Sequence, residues 1–205
     1  MSLMFHLFMP QEQLKSESMN KGVFLMKKLF FTILFMIIIV FIVFISYLKT
    51  YTVTENKKQL EDSVKQCADT TALPSDSIDI KQQLNLDNKK YIIFTVNNNL
   101  FGDAEFTKGF NNKYKIERTG WNNNYFKYGI YKTNKGKYLI LKGDNYDMKI
   151  SYAKVLLNNK EYKINIPQQE YYIAYCEVPY EAKSNHPHIN NIKMYDANDA
   201  ETSRP

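Results

Sequence analysis

The chain has 205 residues, of which 44% are hydrophobic and 15% aromatic. This length admits one ordinary domain with an accessory segment and excludes a large multidomain enzyme. The hydrophobic content excludes a disordered chain, and two cysteines are too few for a small fold built on disulfides. The formal net charge is +6. Heavy use of Lys, Ile, Tyr, Phe and Asn is typical of an A/T-rich bacterial genome, so this charge alone is weak support for a polyanion partner.

The most informative segment is the uncharged, apolar run from Leu29 to Leu48. About 20 apolar residues in a helix match a hydrocarbon core of ~30 Å. No small-x-small cleavage site and no cysteine suited to lipid attachment follow the run. We therefore predict that residues 26–49 form an uncleaved transmembrane signal anchor.

The residues before the run bear on where translation starts and which way the anchor points. Met26, Lys27 and Lys28 have the form of a bacterial export-signal start. Residues 1–25 are interpreted as a mis-assigned start or, if translation begins at Met1, as a short cytoplasmic tail. The lysines on the two sides of the run nearly balance. A short N-terminus before a long C-terminal domain is the usual form of a signal anchor, which favours a cell-membrane location with the domain outside the cytoplasm.

Residues 50–87 are predicted to form a neck and linker. Thr52 to Glu55 fits a capping box, and Leu60, Val64 and Cys67 follow at helical spacing, which indicates a short amphipathic helix. The turn-forming residues between positions 68 and 79 indicate a linker that keeps the following domain clear of the bilayer.

Residues 88–196 are predicted to form a mainly β domain, an antiparallel β-sandwich or small β-barrel. Six of the seven glycines lie between Gly102 and Gly143. Asn158 and Asn159 separate two alternating runs and indicate a two-residue hairpin turn. Further short strands are predicted at 91–96, 125–131, 137–142, 148–153, 171–178 and 188–195. Residues 197–205 are expected to be a frayed tail.

Segments 102–111, 113–116 and 129–138 resemble a recurrent pattern in small, single-pass envelope proteins of Gram-positive bacteria that carry a β domain. The resemblance implies a location outside the cytoplasm. It implies no activity and no site residues.

The sequence offers few candidates for chemistry. No residue constellation indicates catalysis and no motif indicates a cofactor, so we expect a protein that is not an enzyme. The alternative is an extracytoplasmic metal-dependent sensor or enzyme that uses His186 and His188, with Cys176 nearby. Cys67 and Cys176 form a disulfide if they are adjacent outside the cytoplasm; a buried free thiol at Cys176 is the competing interpretation.

A basic and tyrosine-rich stretch is the leading binding candidate. Residues 100–163 hold 13 Lys and Arg against 6 Asp and Glu. Lysines on a sheet beside tyrosines are suited to phosphates and stacked rings, although Lys-rich solvent faces are also common in ordinary sheets. The expected partners are the membrane and an anionic wall polymer, lipid headgroups or another envelope protein, and nucleic acid fits only a cytoplasmic domain. The predicted binding face consists of Lys127, Tyr131, Lys132, Lys135 and Lys137.

Overall fold

The computed structural model describes residues 11–69, 77–180, 182 and 188–203. The chain divides into two compact units, Met1–Thr50 and Tyr51–Pro205.

The first unit contains one long helix, α1, at Gln11–Thr50. Its segment Phe24–Thr50 is long and apolar enough to cross a membrane. The hydroxyl groups of Thr32 and Thr50 each donate to the carbonyl four residues earlier, at 2.9 Å. These bonds satisfy polar groups within the helix itself, as a hydrocarbon environment requires. The predicted apolar helix is confirmed.

The second unit consists of a short helix and a series of short strands. Helix α2 spans Lys57–Asp69, and a 3₁₀ turn spans Ile189–Asn191. The strands of the described residues are β1 Ile78–Leu86, β2 Lys89–Val96, β3 Leu100–Lys108, β4 Tyr114–Asn122, β5 Phe126–Lys132, β6 Lys137–Asp144, β7 Tyr152–Leu157, β8 Lys160–Asn165, β9 Tyr171–Val178, β10 Ile192–Tyr195 and β11 Glu201–Thr202.

These strands form three antiparallel sheets. Sheet A has the order β1-β2-β3-β4, sheet B the order β5-β6-β9, and sheet C the order β11-β10-β7-β8. The mainly β, antiparallel fold after a short helix is confirmed.

Alternation along the strands explains how the sheets stack. On one side of sheet B, Leu139 and Leu141 pack with residues of sheet C, such as Val155. On its other side, Ile140 packs with sheet A residues, such as Ile93. Sheet B is therefore an inner layer that is covered on both faces, and its apolar run reflects this double burial.

Helix α2 forms the outermost layer on the far side of sheet A. Leu60 and Val64 are fully buried, and they pack with Ile92, Phe94 and Phe106 of that sheet. The segment expected to be a neck is thus part of the domain core, because its apolar stripe finds an apolar sheet face. Residues 70–76 of the expected linker lie outside the described residues.

Other segments differ in extent from the expectation. Residues 78–86, expected within the linker region, form β1 and pair with β2. Glu201 and Thr202, expected in a frayed tail, pair with β10. The strand predicted at 188–195 is shorter and begins at Ile192, because the 3₁₀ turn precedes it.

The β7–β8 hairpin forms as predicted. Asn158 and Asn159 have φ angles of 50° and 61°. Asn tolerates this left-handed region better than most residues, and a two-residue turn of this type matches the strand twist.

Candidate functional site

Three turns meet at one end of the second unit, and Asn88 links them. Asn88 lies in the β1–β2 turn. Its carbonyl oxygen accepts a bond from the Lys108 amide at 2.8 Å, at the end of β3. Its side-chain oxygen accepts a bond from the Asn134 amide at 2.9 Å, in the β5–β6 turn. One residue thus holds the β3–β4 and β5–β6 turns side by side.

The β5–β6 turn, residues 133–136, is held by its own hydroxyl group. The Thr133 hydroxyl donates to the Asp87 carboxylate at 2.6 Å. The same oxygen accepts the amides of Lys135 and Gly136, each at 3.1 Å. These bonds fix the turn before any ligand arrives, which lowers the entropy lost on binding.

The β3–β4 turn, residues 109–113, is equally compact. The Gly109 amide donates to the Lys113 carbonyl at 2.8 Å, and the Lys113 amide donates to the Asn111 side chain at 3.2 Å. Asn112 adopts a φ of 59°, which the tight reversal requires. The turn places Phe110 at its outer tip, where the side chain is exposed.

The lysines that flank these two turns define a surface that we call the basic end. Four of its members are exposed and Lys137 is half-buried. Of these five lysines, only Lys135 has the carboxylate of a described residue within ion-pair distance, at 3.7 Å from Asp87. The members of the basic end are Lys108, Lys113, Lys132, Lys135 and Lys137.

Lys132 and Lys137 show the concentration of charge most clearly. They are directly opposite each other on β5 and β6. Like charges at such a position repel each other and destabilise a strand pair. A bound anion would relieve the repulsion between these two ammonium groups. Their ammonium groups lie 5.1 and 5.0 Å from the centre of the exposed Tyr180 ring. A hydrogen bond from Lys132 and its positive charge lower the pKa of Tyr180.

The opposite end of the same sheet is acidic. Strand β6 begins at Lys137 in the basic end and finishes at Asp144. Burial raises the pKa of Asp144, and the negative charges of Glu170 and Asp147 raise it further. The carboxylates of Asp144, Asp147 and Glu170 thus lie at one end of β6, where Lys149 pairs with Asp147 at 2.8 Å, and the lysines of the basic end lie at the other.

Two residues of the predicted binding face lie elsewhere. Lys127 and Tyr131 point from β5 toward sheet A, and the Lys127 ammonium lies 2.8 Å from the Asp103 carboxylate. Tyr131 packs with the cluster between sheets A and B. The structure thus brings together Lys132, Lys135 and Lys137, and it separates Lys127 and Tyr131 from them. Strand alternation and the burial of both faces of sheet B cause this separation.

The predicted histidine candidates give no metal geometry. His186 lies outside the described residues. The His188 ring accepts the Asn190 amide at 3.3 Å and so caps the 3₁₀ turn. In the described part of the chain, no three His, Cys, Asp or Glu side chains converge as metal ligands do.

Cys67 and Cys176 are not joined by a disulfide. Cys67 lies on α2, which covers the outer face of sheet A, whereas Cys176 packs in the cluster between sheets B and C. Two sheets therefore lie between them. Burial raises the pKa of the Cys176 thiol to about 11, which keeps it protonated and unreactive at neutral pH.

Sequence reasoning missed Lys108, Lys113 and Tyr180 as members or neighbours of the site. The Gly-Phe-Asn-Asn segment between the two lysines is a recognisable turn signal, so a turn with lysines on both sides was predictable. Nothing local marks Tyr180, because its position over Lys132 and Lys137 depends on tertiary packing.

Comparisons with protein-family models, with curated proteins and with solved structures give no match for this chain. No activity, ligand or partner is therefore transferred to it from another protein.

Proposed function

We propose that the protein is a membrane-anchored binding or accessory protein of the bacterial cell envelope. Its β domain lies outside the cytoplasm and binds phosphate-bearing polyanions, such as wall polymers or lipid headgroups, at the basic end. The observation that carries the proposal is the convergence of five lysines on turns tied together by Asn88, four of them with no described carboxylate within ion-pair distance.

The chemistry of the basic end suits phosphate groups. Lysine ammonium groups are compact charges with three donors each, and they bind phosphate without a demand for one orientation. The exposed Tyr180 hydroxyl adds a polar group beside two of them. Because the turns are already fixed by hydrogen bonds, binding spends little free energy on ordering the backbone.

The anchor supports the same role. A helix long and apolar enough to cross a membrane precedes the domain directly. Confinement near a surface raises the effective concentration of any polyanion attached to that surface. The resemblance of segments 102–111, 113–116 and 129–138 to single-pass envelope proteins supports an extracytoplasmic domain. A weak individual contact is then sufficient for stable association.

Calorimetric titration of the purified full chain with inorganic polyphosphate, in neutral detergent micelles, tests the binding. The test variant carries Lys108→Gln, Lys113→Gln and Lys132→Gln. The matched control carries Lys149→Gln, Lys160→Gln and Lys163→Gln, which are also exposed. Both variants lose three positive charges, so net charge alone cannot separate them.

We expect the test variant to bind polyphosphate about 100-fold more weakly, at ~1 kcal/mol for each lysine near an anionic surface. The control variant should keep its affinity within about twofold, because its lysines flank neither of the two turns of the basic end. Equal losses in the two variants would show that the chain attracts polyanions through overall charge and has no site at the basic end.

A further inference from the structure

The β3–β4 turn is tied to the chain segment that leaves the apolar helix. Tyr51 directly follows Thr50, where the membrane-length segment ends. The side-chain amide of Asn111 donates to the Tyr51 carbonyl at 3.0 Å. Val53 and Tyr114 exchange two backbone bonds, at 3.0 and 2.7 Å. The entering chain therefore behaves as a short strand against the start of β4.

Buried charge reinforces this attachment. The Tyr114 hydroxyl donates to the Glu55 carboxylate at 2.6 Å. The Lys90 ammonium, 3% exposed, lies 3.7 Å from the same carboxylate. The Tyr114 hydrogen bond and the charge of Lys90 lower the pKa of Glu55. Removal of this carboxylate would leave the buried Lys90 ammonium with a 3.4 Å bond to the Gln83 side chain and the Tyr114 ring at 5.1 Å, so the ion pair helps to hold the segment in place.

Chain length then limits how far the turn lies from the membrane. Three residues span at most about 11 Å when fully extended. Val53 is three residues beyond Thr50, and it is paired with the residue that follows the turn. If α1 crosses the bilayer, the β3–β4 turn is therefore confined to the neighbourhood of the lipid headgroups on that side.

The composition of the turn matches that environment. Phe110, 67% exposed, is flanked by the exposed Lys108 and Lys113. An aromatic tip between lysines is typical of segments that rest in a membrane interface, where the ring enters the acyl boundary and the ammonium groups contact anionic headgroups. A hydrated wall polymer would satisfy the lysines but offers no acyl layer to the exposed part of the ring.

We propose that the basic end docks on the headgroup layer of the protein's own membrane, with Phe110 inserted below anionic lipid phosphates. This inference rests on the proposed membrane anchor and on the proposed binding of phosphate groups. It identifies lipid headgroups as the source of those phosphates. The domain is thereby held against the bilayer at two points, the anchor and the β3–β4 turn.

A depth measurement on the full chain in vesicles tests the proposal. Trp121 is the only tryptophan, so Phe110→Trp in a Trp121→Phe background gives one reporter at the turn. Tyr146→Trp in the same background is the matched control, since Tyr146 is 80% exposed in the turn at the acidic end. Both proteins are reconstituted in phosphatidylcholine with or without phosphatidylglycerol, and brominated acyl chains serve as the quencher. Alkaline carbonate extraction reports anchoring independently.

The proposal predicts that bromolipids quench the residue 110 reporter in phosphatidylglycerol vesicles but leave the residue 146 reporter unquenched. Added Lys108→Gln and Lys113→Gln should shift the docking equilibrium roughly fivefold per lysine toward release. An unquenched residue 110 reporter in a carbonate-resistant protein overturns membrane docking but leaves the anchor intact. If that protein still binds soluble polyphosphate, the partner is a polymer. Carbonate release of the protein instead contradicts the anchor itself.

Discussion

The Lys142 ammonium lies 2.7 Å from the Asp103 carboxylate and joins sheet B to sheet A. Lys142 is fully buried, and its ammonium also faces the rings of Tyr91 and Tyr131 at 5.2 and 4.7 Å. Asp103 receives a second ammonium from Lys127 at 2.8 Å. Two ammonium groups thus share the Asp103 carboxylate. Asp103 keeps Lys127 as a partner when Lys142 is replaced, whereas Lys142 loses its carboxylate partner when Asp103 is replaced.

Substitution of Asp103 should therefore cost more stability than substitution of Lys142. We expect Asp103→Asn to lower the free energy of unfolding by about 3–5 kcal/mol, since it leaves a buried ammonium group unpaired. Lys142→Met should cost clearly less, because Asp103 keeps its bond to Lys127. Urea denaturation of the full chain in neutral micelles, followed by Trp121 fluorescence, measures both. Equal losses of unfolding free energy in the two variants would show that the charge pairing contributes nothing beyond the packing of the two side chains.

The same pair predicts a loss of stability in acid. Burial alone would raise the pKa of Asp103, but the charges of Lys142 and Lys127 outweigh burial and hold that pKa at about 2. An unfolded aspartate titrates near about 3.9. The folded pKa is lower, so the stabilisation is complete above the unfolded value and is lost as the pH falls through the folded value. The free energy of unfolding should fall between about pH 4 and pH 2.

The double variant Asp103→Asn/Lys142→Met is the matched control for this acid effect. It removes the carboxylate together with its most deeply buried cation. Its unfolding free energy should fall less than that of the unsubstituted chain over the same pH range. Parallel pH profiles would assign the acid loss to other carboxylates with lowered pKa values, such as Glu55 and Glu117.

The β7–β8 turn offers a test of local backbone preference. Asn159 has a φ of 61°. Asn159→Ala should destabilise the domain by about 1–2 kcal/mol, because a Cβ without a compensating polar group is disfavoured in this region. Asn159→Gly should leave stability unchanged or raise it slightly. Thermal unfolding of the two variants compares them directly, and a larger loss for Gly than for Ala would be inconsistent with this turn conformation.

Thiol labelling tests the proposed location of the domain. Tyr146→Cys in a Cys67→Ser background places one reactive thiol at the acidic end, while Cys176, with its pKa raised to about 11, stays unreactive in the folded protein. A membrane-impermeant maleimide should label residue 146 in intact cells and should label Cys176 only after unfolding. Labelling of residue 146 only after cell lysis would place the domain in the cytoplasm.

Local signals explain which elements were predictable from the sequence. The Asn158–Asn159 turn and the apolar run of α1 depend on neighbouring residues, and both were found. Strand β1 was taken for linker although Ile78, Ile80, Leu84 and Leu86 alternate with polar residues along it. A register shift between Ile80 and Gln82 turns Ile80 toward the α2 side of sheet A and Leu84 toward sheet B, and the sequence does not reveal such a bulge.

The candidate site was only partly predictable, for a different reason. Alternation along β5 separates Lys127 and Tyr131 from Lys132, but it does not reveal that a second sheet covers each face of sheet B. The basic end also depends on the contacts of Asn88 with Lys108 and Asn134, which are distant in sequence. Such pairings follow from sheet stacking, and no local pattern encodes them.

Hydrogen exchange of the full chain with and without inorganic polyphosphate, in neutral micelles, tests most directly where the anion binds. We expect added protection in residues 109–113 and 132–137, the two turns of the basic end. Residues 145–149 at the acidic end and the β7–β8 turn should exchange at unchanged rates. Protection confined to those latter segments, or no protection at concentrations where calorimetry detects binding, would contradict the assignment of the basic end as the binding surface.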